Sequence, residues 1–442
     1  MMEHFYALVQ SHAIVISAVI LILAYVMIAL EKIPKVTIAL LGAAVVIFLG
    51  LVSQDKTSGA GLNEHYYINF IDFNVIFLLV SMMIIVNITT RCGVFKWLAI
   101  ELLKLTKGRP LLVLIALSFF TAVLSAFLDN VTTVILIMPI TFIAAKQLDL
   151  DPVPLLIAEV FSSNIGGTST LIGDPPNIII GSAAGFSFMD FLGELTIICL
   201  IIMIAVLAFL YLCFRKKLVT TEDKMAKIQE IDNSKTITDY PLLKRSMIIL
   251  GLVILGFLTH DMTHIATCVI AFMGACVLLL FEKPEEMFKD VEWNTIFFFI
   301  GLFIIIGAFE AAGGIKLMAD WLLKVTAGSQ KAASFVILWA SGLLSGIIDN
   351  IPYTATMAPM IHEIELEKGR EFVLPMWWCL SLGACLGGNL TMIGAAANVI
   401  VSENSAKEGH PIKFMQFMKY GSVVVFISLA LSSAFIYIRH FI

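Results

Sequence analysis

The sequence predicts an all-α membrane protein of two inverted repeats, with about 10 transmembrane helices, two re-entrant hairpins and two broken helices. Three observations predict it. The chain is 60% hydrophobic and only 14% charged, with a mean hydropathy of +0.97; a soluble chain of 442 residues needs far more polar surface. Apolar runs near the bilayer-spanning length of roughly 20 residues recur along it. The second half repeats the first in register.

The elements follow in order. Apolar runs cover 13–30, 36–52 and 73–90. The first run follows MMEHFYALVQSH, which has no basic n-region and no small-residue cleavage site, so it reads as a retained span. The runs 111–128 and 131–145 are joined too tightly for ordinary spans and read as a re-entrant hairpin, 111–145. A broken helix, 152–189, and a span, 193–214, close a first repeat at 1–214. Residues 215–245 are the one long polar stretch, with both charge signs, and read as a cytoplasmic linker. A second repeat at 246–442 then holds runs at 246–259, 265–281 and 294–311, a hairpin at 333–361, a broken helix at 372–402 and a run at 417–439. Short, Gly/Pro-interrupted segments at corresponding places in two halves point to a transporter binding site.

A shift of 220 lays FNVIFLLV from Phe73 on WNTIFFFI from Trp293. Gly93 and Lys96 meet Gly313 and Lys316; Ser125, Asp129, Asn130 and Pro139 meet Ser345, Asp349, Asn350 and Pro359. With one more residue of shift, Gly166, Gly167, Thr170, Ile172, Gly173 and Asn177 meet Gly387, Gly388, Thr391, Ile393, Gly394 and Asn398. This is an internal duplication. Lys and Arg in 91–110 and in the linker place those loops inside, and 53–72, with only Lys56, outside. Five spans per half, an odd number, invert the second copy.

Two constellations carry chemistry. The first is Asp129-Asn130-Val131-Thr132-Thr133 and its counterpart Asp349-Asn350-Ile351-Pro352-Tyr353-Thr354. A turn at membrane depth must satisfy its own backbone groups. Asp and Asn do so as caps, which is a structural role. A carboxylate there still costs at least roughly 2.5–3.5 kcal/mol and is functional by default. The second is the stretch Asn164 to Asn177 (NIGGTSTLIGDPPN), with Gly387 to Asn398 (GGNLTMIGAAAN) opposite it. Glycines let the chain leave helical geometry, and Pro175 and Pro176 start a helix but cannot continue one. Helix, unwound loop, helix follows. Half-helix ends offer N–H groups to anions and carbonyls to cations. Asp174 has no acidic counterpart, since Ala395 stands there; Glu159 faces Leu380 in the alignment. Both are proton-coupling candidates beside Asp129 and Asp349.

Other residues read as structural. The seven cysteines form no C-x-x-C pair and read as small apolar residues. His4, His12, His65, His260, His264, His362, His410 and His440 fall in loops or near termini, and no metal site or cofactor is expected. Glu310, near a span end, snorkels to the interface. The stretches around Lys96–Lys104 and Lys316–Lys324 read as amphipathic arms. No basic run implies nucleic acid. No G-x-x-x-x-G-K-[ST] loop is present, so an ion gradient drives the work, and an enzyme is not expected.

The DNVTT turn resembles the Ser-Asn-Thr hairpin tips of divalent-anion:sodium symporters, and IGGTSTLIGDPPN resembles their broken-helix motif. The chain resembles the ion transporter superfamily from about Phe73 to Gly421. Within it the match is to the arsenite pump and sodium–proton antiporter group, which has a citrate-transporter-like domain and includes the melanosomal P protein. The resemblance implies a scaffold, two transport regions that move as an elevator, and dimers formed through the scaffold. Carried over by position, it implies a site lined on one side by Asp129, Asn130, Thr132, Thr133, Asn164, Gly166, Gly167, Thr168, Thr170, Gly173, Asp174 and Asn177. Asp349, Asn350, Thr354, Gly387, Gly388, Asn389, Thr391, Gly394 and Asn398 line the other. The dicarboxylate carriers have Ser where Asp129 and Asp349 stand here. Two carboxylates repel a dicarboxylate and suit a proton or sodium ion. The expected partners are therefore the bilayer, a small inorganic ion or oxyacid as cargo, and H⁺ or Na⁺ as coupling ion. The expected activity is proton-coupled efflux of arsenite, antimonite or a similar oxyacid across the cell membrane. Sodium–proton antiport and sodium-coupled carboxylate uptake are the alternatives. An intramembrane aspartyl protease would need Tyr-Asp and Gly-x-Gly-Asp motifs, but Leu128 and Ile348 precede the aspartates.

Overall fold

The computed structural model describes residues 2–52 and 66–442; Lys56, His65 and most of the loop read as external lie outside them. Every regular element among the described residues is helical. Seven of these helices are long and apolar enough to cross a membrane, and eight if the pair His4–Ser11 and Ala13–Ala29, bent by 75°, counts as one span. Lys35–Phe48 and Thr267–Leu279 are apolar but shorter. The long helices carry apolar side chains on exposed faces, for example Ile197, Leu200, Ile201 and Ile204 on Phe188–Phe214. That is the surface a lipid solvent requires.

The first hairpin pairs Pro110–Ser125 with Asn130–Leu148, and the second pairs Gln330–Ile348 with Asn350–Lys368. The first broken helix is Val153–Thr168 followed by Pro175–Ala184; the second is Arg370–Gly387 followed by Ala396–Lys407. Val153–Thr168 is buried along its whole length, because VPLLIAEVFSSNIGGT offers no polar stripe for solvent. One arm of each hairpin, Asn130–Leu148 and Gln330–Ile348, has the length and hydropathy of a span. What marks the pair as a hairpin is the turn: three residues beyond Ala126 in the first, and Asp349 alone in the second.

The duplication extends to backbone and hydrogen bonds. The amphipathic arms Val94–Leu105 and Gly314–Val325 begin after left-handed Gly93 (φ 82°) and Gly313 (φ 88°). Thr170 Oγ1 donates to Ala126 O at 2.5 Å, and Thr391 Oγ1 to Gly346 O at 2.6 Å, so each break is tied to its own hairpin. Gly166 and Gly387 let the broken helices approach the hairpins. A Cβ on Gly166 would lie 2.1 Å from Ala122 O, and one on Gly387 2.5 Å from Gly342 O.

The polar stretch 215–245 is more than a linker. It forms the helix Glu222–Gln229 and folds onto the base of the first hairpin and the adjoining arm. Thr220 Oγ1 donates to Leu148 O (2.5 Å), Lys224 pairs with Asp149 (2.5 Å), Gln229 Nε2 donates to Lys104 O (2.6 Å) and Asn233 Nδ2 to Glu101 Oε1 (2.8 Å). The Lys224 ammonium holds the Asp149 carboxyl below the usual carboxylate range. The following helix begins at Tyr240, capped by Asp239, ahead of the start at 246 that hydropathy alone marks. Hydropathy misses its first six residues because Lys244 and Arg245 interrupt the apolar run there.

Candidate ion and substrate site

The two breaks and two hairpin turns meet at one buried polar centre. Asp174 lies there, 1% exposed, in the unwound stretch between Thr168 and Pro175. Asn130, at the first hairpin turn, donates through Nδ2 to Asp174 Oδ1 (3.3 Å) and Asn164 Oδ1 (3.2 Å). Asn350, at the second turn, donates to both Asp174 oxygens at 3.3 Å. One carboxylate is thus held between amides from the two halves. Charge-assisted hydrogen bonds of this kind are the strong ones.

A second layer joins the breaks. Asn164 Nδ2 donates to Asn389 Oδ1 (2.8 Å) and Asn398 Oδ1 (3.0 Å). Cys385, which the 221 shift places on Asn164, donates to Asn177 Oδ1 at 3.5 Å and lies against the Asp174 carboxylate; Ser381 donates to the same Asn177 oxygen at 2.6 Å. Asn177 and Asn398 do the same work in each half. Asn177 Nδ2 donates to the carbonyls of Thr168 (3.0 Å) and Thr170 (2.8 Å), and Asn398 Nδ2 to those of Gly388 and Thr391, both at 2.8 Å. Unwinding frees carbonyls that must find partners, and these amides supply them. Asn177→Ala therefore leaves buried carbonyls unpaired, at about 1–3 kcal/mol for each orphaned group. A clear fall in melting temperature in detergent is expected; an unchanged one would remove this role.

The other residues read from the sequence are placed as follows. Thr168 Oγ1 donates to Asn164 O (2.6 Å). Gly167 and Gly173 stack across the first break, and Gly388 and Gly394 across the second. Thr133 Oγ1, Thr354 Oγ1 and Asn389 Nδ2 are buried without a hydrogen-bond partner among the described residues. Both Asp129 oxygens are engaged by Thr132, one by its backbone N–H (2.8 Å) and one by its hydroxyl (2.6 Å), so this half-buried carboxylate caps the helix it precedes. Asp349 caps Ile351 (3.1 Å) and pairs with Lys35 Nζ at 3.1 Å, at φ 101°. Neither aspartate bonds to the Asn130–Asp174–Asn350 centre.

Lys35 was not visible as a site residue. It follows Pro34 at the start of an apolar helix, where a lysine reads as an interface anchor, and it lies 314 residues from Asp349. Tyr25 is a second hidden contact: its hydroxyl reaches Pro352 O (2.7 Å) and Thr356 Oγ1. The helices Ala13–Ala29 and Lys35–Phe48 thereby hold the second hairpin. Beside the ion pair opens a cavity of about 520 Å³, lined by Glu31, Lys35, Glu292, Asp349 and Glu403. Burial, then the Asp349 charge, pushes the Glu31 carboxyl up. Burial, then the Asp129 charge, pushes Glu292 up to about 6. Four carboxyl groups thus share this cavity with one ammonium. Lys35→Met should cost about 1–3 kcal/mol by leaving the 5%-exposed Asp349 without its charged partner. The double variant Lys35→Met/Asp349→Asn should recover most of the lost melting temperature.

A multi-pass helical membrane protein with duplicated hairpins and broken helices converging on a buried polar centre is a secondary transporter. The chain belongs to the citrate transporter family (CitMHS), whose model matches residues 25–383. An uncharacterized transporter of Mycobacterium tuberculosis is 40% identical over 97% of this chain and 99% of its own. A 46 kDa membrane protein of Mycobacterium leprae is 39% identical with the same coverage. The P protein of Mus musculus is 31% identical over 95% of this chain, which spans 59% of that protein. Among solved structures, the YdaH transporter of Alcanivorax borkumensis, described as having an unusual topology, shares the fold at TM-score 0.57 and 12% identity, over 94% of this chain and 97% of that one.

Proposed function

We propose that this transporter exports a small uncharged oxyacid of the arsenite or antimonite kind in exchange for protons, and that the coupling charge is carried at Asp174. The observation that carries the reading is a buried carboxylate held between Asn130 and Asn350, with no cationic side chain among the described residues bonded to Asn130, Asp174 or Asn350. An anionic cargo such as citrate, suggested by the family's description, would meet a like charge there and no counter-charge. A neutral oxyacid offers hydroxyls that the surrounding amides can both donate to and accept from.

The five crossings per half invert the second repeat, so the two hairpin turns enter from opposite sides, consistent with movement of the hairpins and broken helices as an elevator against the remaining helices. Repeats 1–214 and 246–442 and a dimer through the scaffold belong to the same reading. Sodium–proton exchange is the second reading. The specific observation in its favour is the oxygen supply: the Asp174 carboxylate and Asn164 Oδ1 share the Asn130 amide, and two unwound stretches add backbone carbonyls to the same polar centre, oxygen ligands of the kind hard cations require.

The test is a proteoliposome assay with a pH dye inside. Arsenite, Na⁺ and citrate are added in turn. Proton movement triggered by arsenite supports the first reading. Movement triggered by Na⁺ alone replaces it with the second, and movement triggered by citrate overturns both.

A further inference from the structure

We propose that Glu159 is a second proton-binding position, separate from the central cluster, in the seam between the hairpin arm Asn130–Leu148 and the helix Val153–Thr168. The inference deepens the proton-coupled reading above and rests on it only for its transport readout. Glu159 is 1% exposed in the middle of a helix that is buried all round. Its Oε1 accepts a hydrogen bond from Thr141 Oγ1, while Oε2 is buried with no partner among the described residues. Among the described residues it forms no ion pair. An ionised carboxylate so enclosed costs several kcal/mol, and a structural carboxyl would have both oxygens satisfied. The donor set is too small for a metal cation, which needs about six oxygens; a proton needs one.

The Thr141 contact works in both charge states. With the carboxylate, Thr141 donates. When a proton arrives it bonds to Oε1, the negative charge disappears, and Oε1–H donates to Thr141 Oγ1. The Thr141 hydrogen then turns to the Ile137 carbonyl, 3.5 Å away. No other bond is made or broken. The seam leads to the centre. Ser163, one turn beyond Glu159 on the same helix face, donates to Asn130 O at 3.1 Å. On the facing arm, Asn130, Thr133, Ile137 and Thr141 follow at i, i+3 and i+4 steps, so they share a face, and Thr133 Oγ1 carries unused hydrogen-bonding capacity.

The test is infrared difference spectroscopy on the full chain in lipid at neutral pH, with no cargo present. Wild type minus Glu159→Gln should show the C=O stretch of a protonated carboxylic acid, and Asp174→Asn should keep that band. Thr141→Val, which leaves the carboxyl in place, should shift it and serves as the readout if Glu159→Gln fails to fold. In liposomes Glu159→Gln should lose arsenite-coupled proton flux. No acid band assignable to Glu159, or a band indifferent to Thr141→Val, overturns the proposal. Silence with arsenite in wild type would sink the transport reading, and the infrared result would still decide Glu159.

Discussion

Asp174→Asn should abolish coupled proton movement while leaving the melting temperature close to that of the wild type. Ala395 occupies the matching place in the second break, so the unwound geometry does not require an acid there. Asparagine has the same shape and can still accept hydrogen bonds from Asn130 and Asn350, but it carries no charge and cannot exchange a proton. A hydrogen bond to a charged group is worth about 1.5–3 kcal/mol against about 1 for a neutral one. In the wild type that difference is offset by the cost of burying the charge, so stability changes little, whereas removal of the charge itself predicts cation binding weaker by at least about tenfold, measured by isothermal titration or by the apparent affinity in liposomes. Asp129→Asn is the informative contrast. Asparagine is as good an N-cap as aspartate, and Thr132 would keep a partner. Near-normal transport is therefore expected from Asp129→Asn. If instead Asp129→Asn is silent and Asp174→Asn is active, the coupling charge lies at the hairpin turn and the central assignment fails.

That contrast also marks how far the sequence could be read. The hairpins, the breaks and their pairing follow from hydropathy and a shift of 220 to 221 residues, because bilayer thickness and chain duplication both leave periodic marks. The membership of the centre was legible too: Asn130, Asn164, Asp174, Asn350, Asn389 and Asn398 all converge. The roles within it were not. Spacing cannot say whether an aspartate at a turn aims inward or closes its own cap, so Asp129 and Asp174 looked alike. Cys385 was hidden because a cysteine in an apolar run reads as packing, although it sits where the other half has Asn164. Lys35 and Tyr25 act across more than 300 residues of chain, and no local pattern encodes that. The docking of Glu222–Gln229 onto the first hairpin is equally non-local.

Gly166→Ala should be among the most damaging single changes in the protein. The new Cβ would lie 2.1 Å from Ala122 O, 2.5 Å from its Cα and 2.6 Å from its carbonyl carbon. All three are backbone atoms of the hairpin's first arm, so no side-chain rotation relieves the clash. The arm and Val153–Thr168 must separate. Overpacking of this kind costs typically 1–3 kcal/mol and occasionally more, and the rigid obstacle puts this case at the upper end. Separation also pulls Thr170 from Ala126 O and displaces Asn164, so transport should fall with stability. Gly387→Ala should behave alike, its Cβ meeting Gly342 O at 2.5 Å. Gly193→Ala is the control. It lies inside Phe188–Phe214 with nothing within 4 Å of a Cβ, and alanine there should be neutral or stabilising by about 0.5–1 kcal/mol. Melting followed by size-exclusion chromatography in detergent separates the three. A Gly166→Ala protein that melts with the wild type would mean that the hairpin and the broken helix are not packed backbone to backbone, and the tie between turn and break would have to be abandoned.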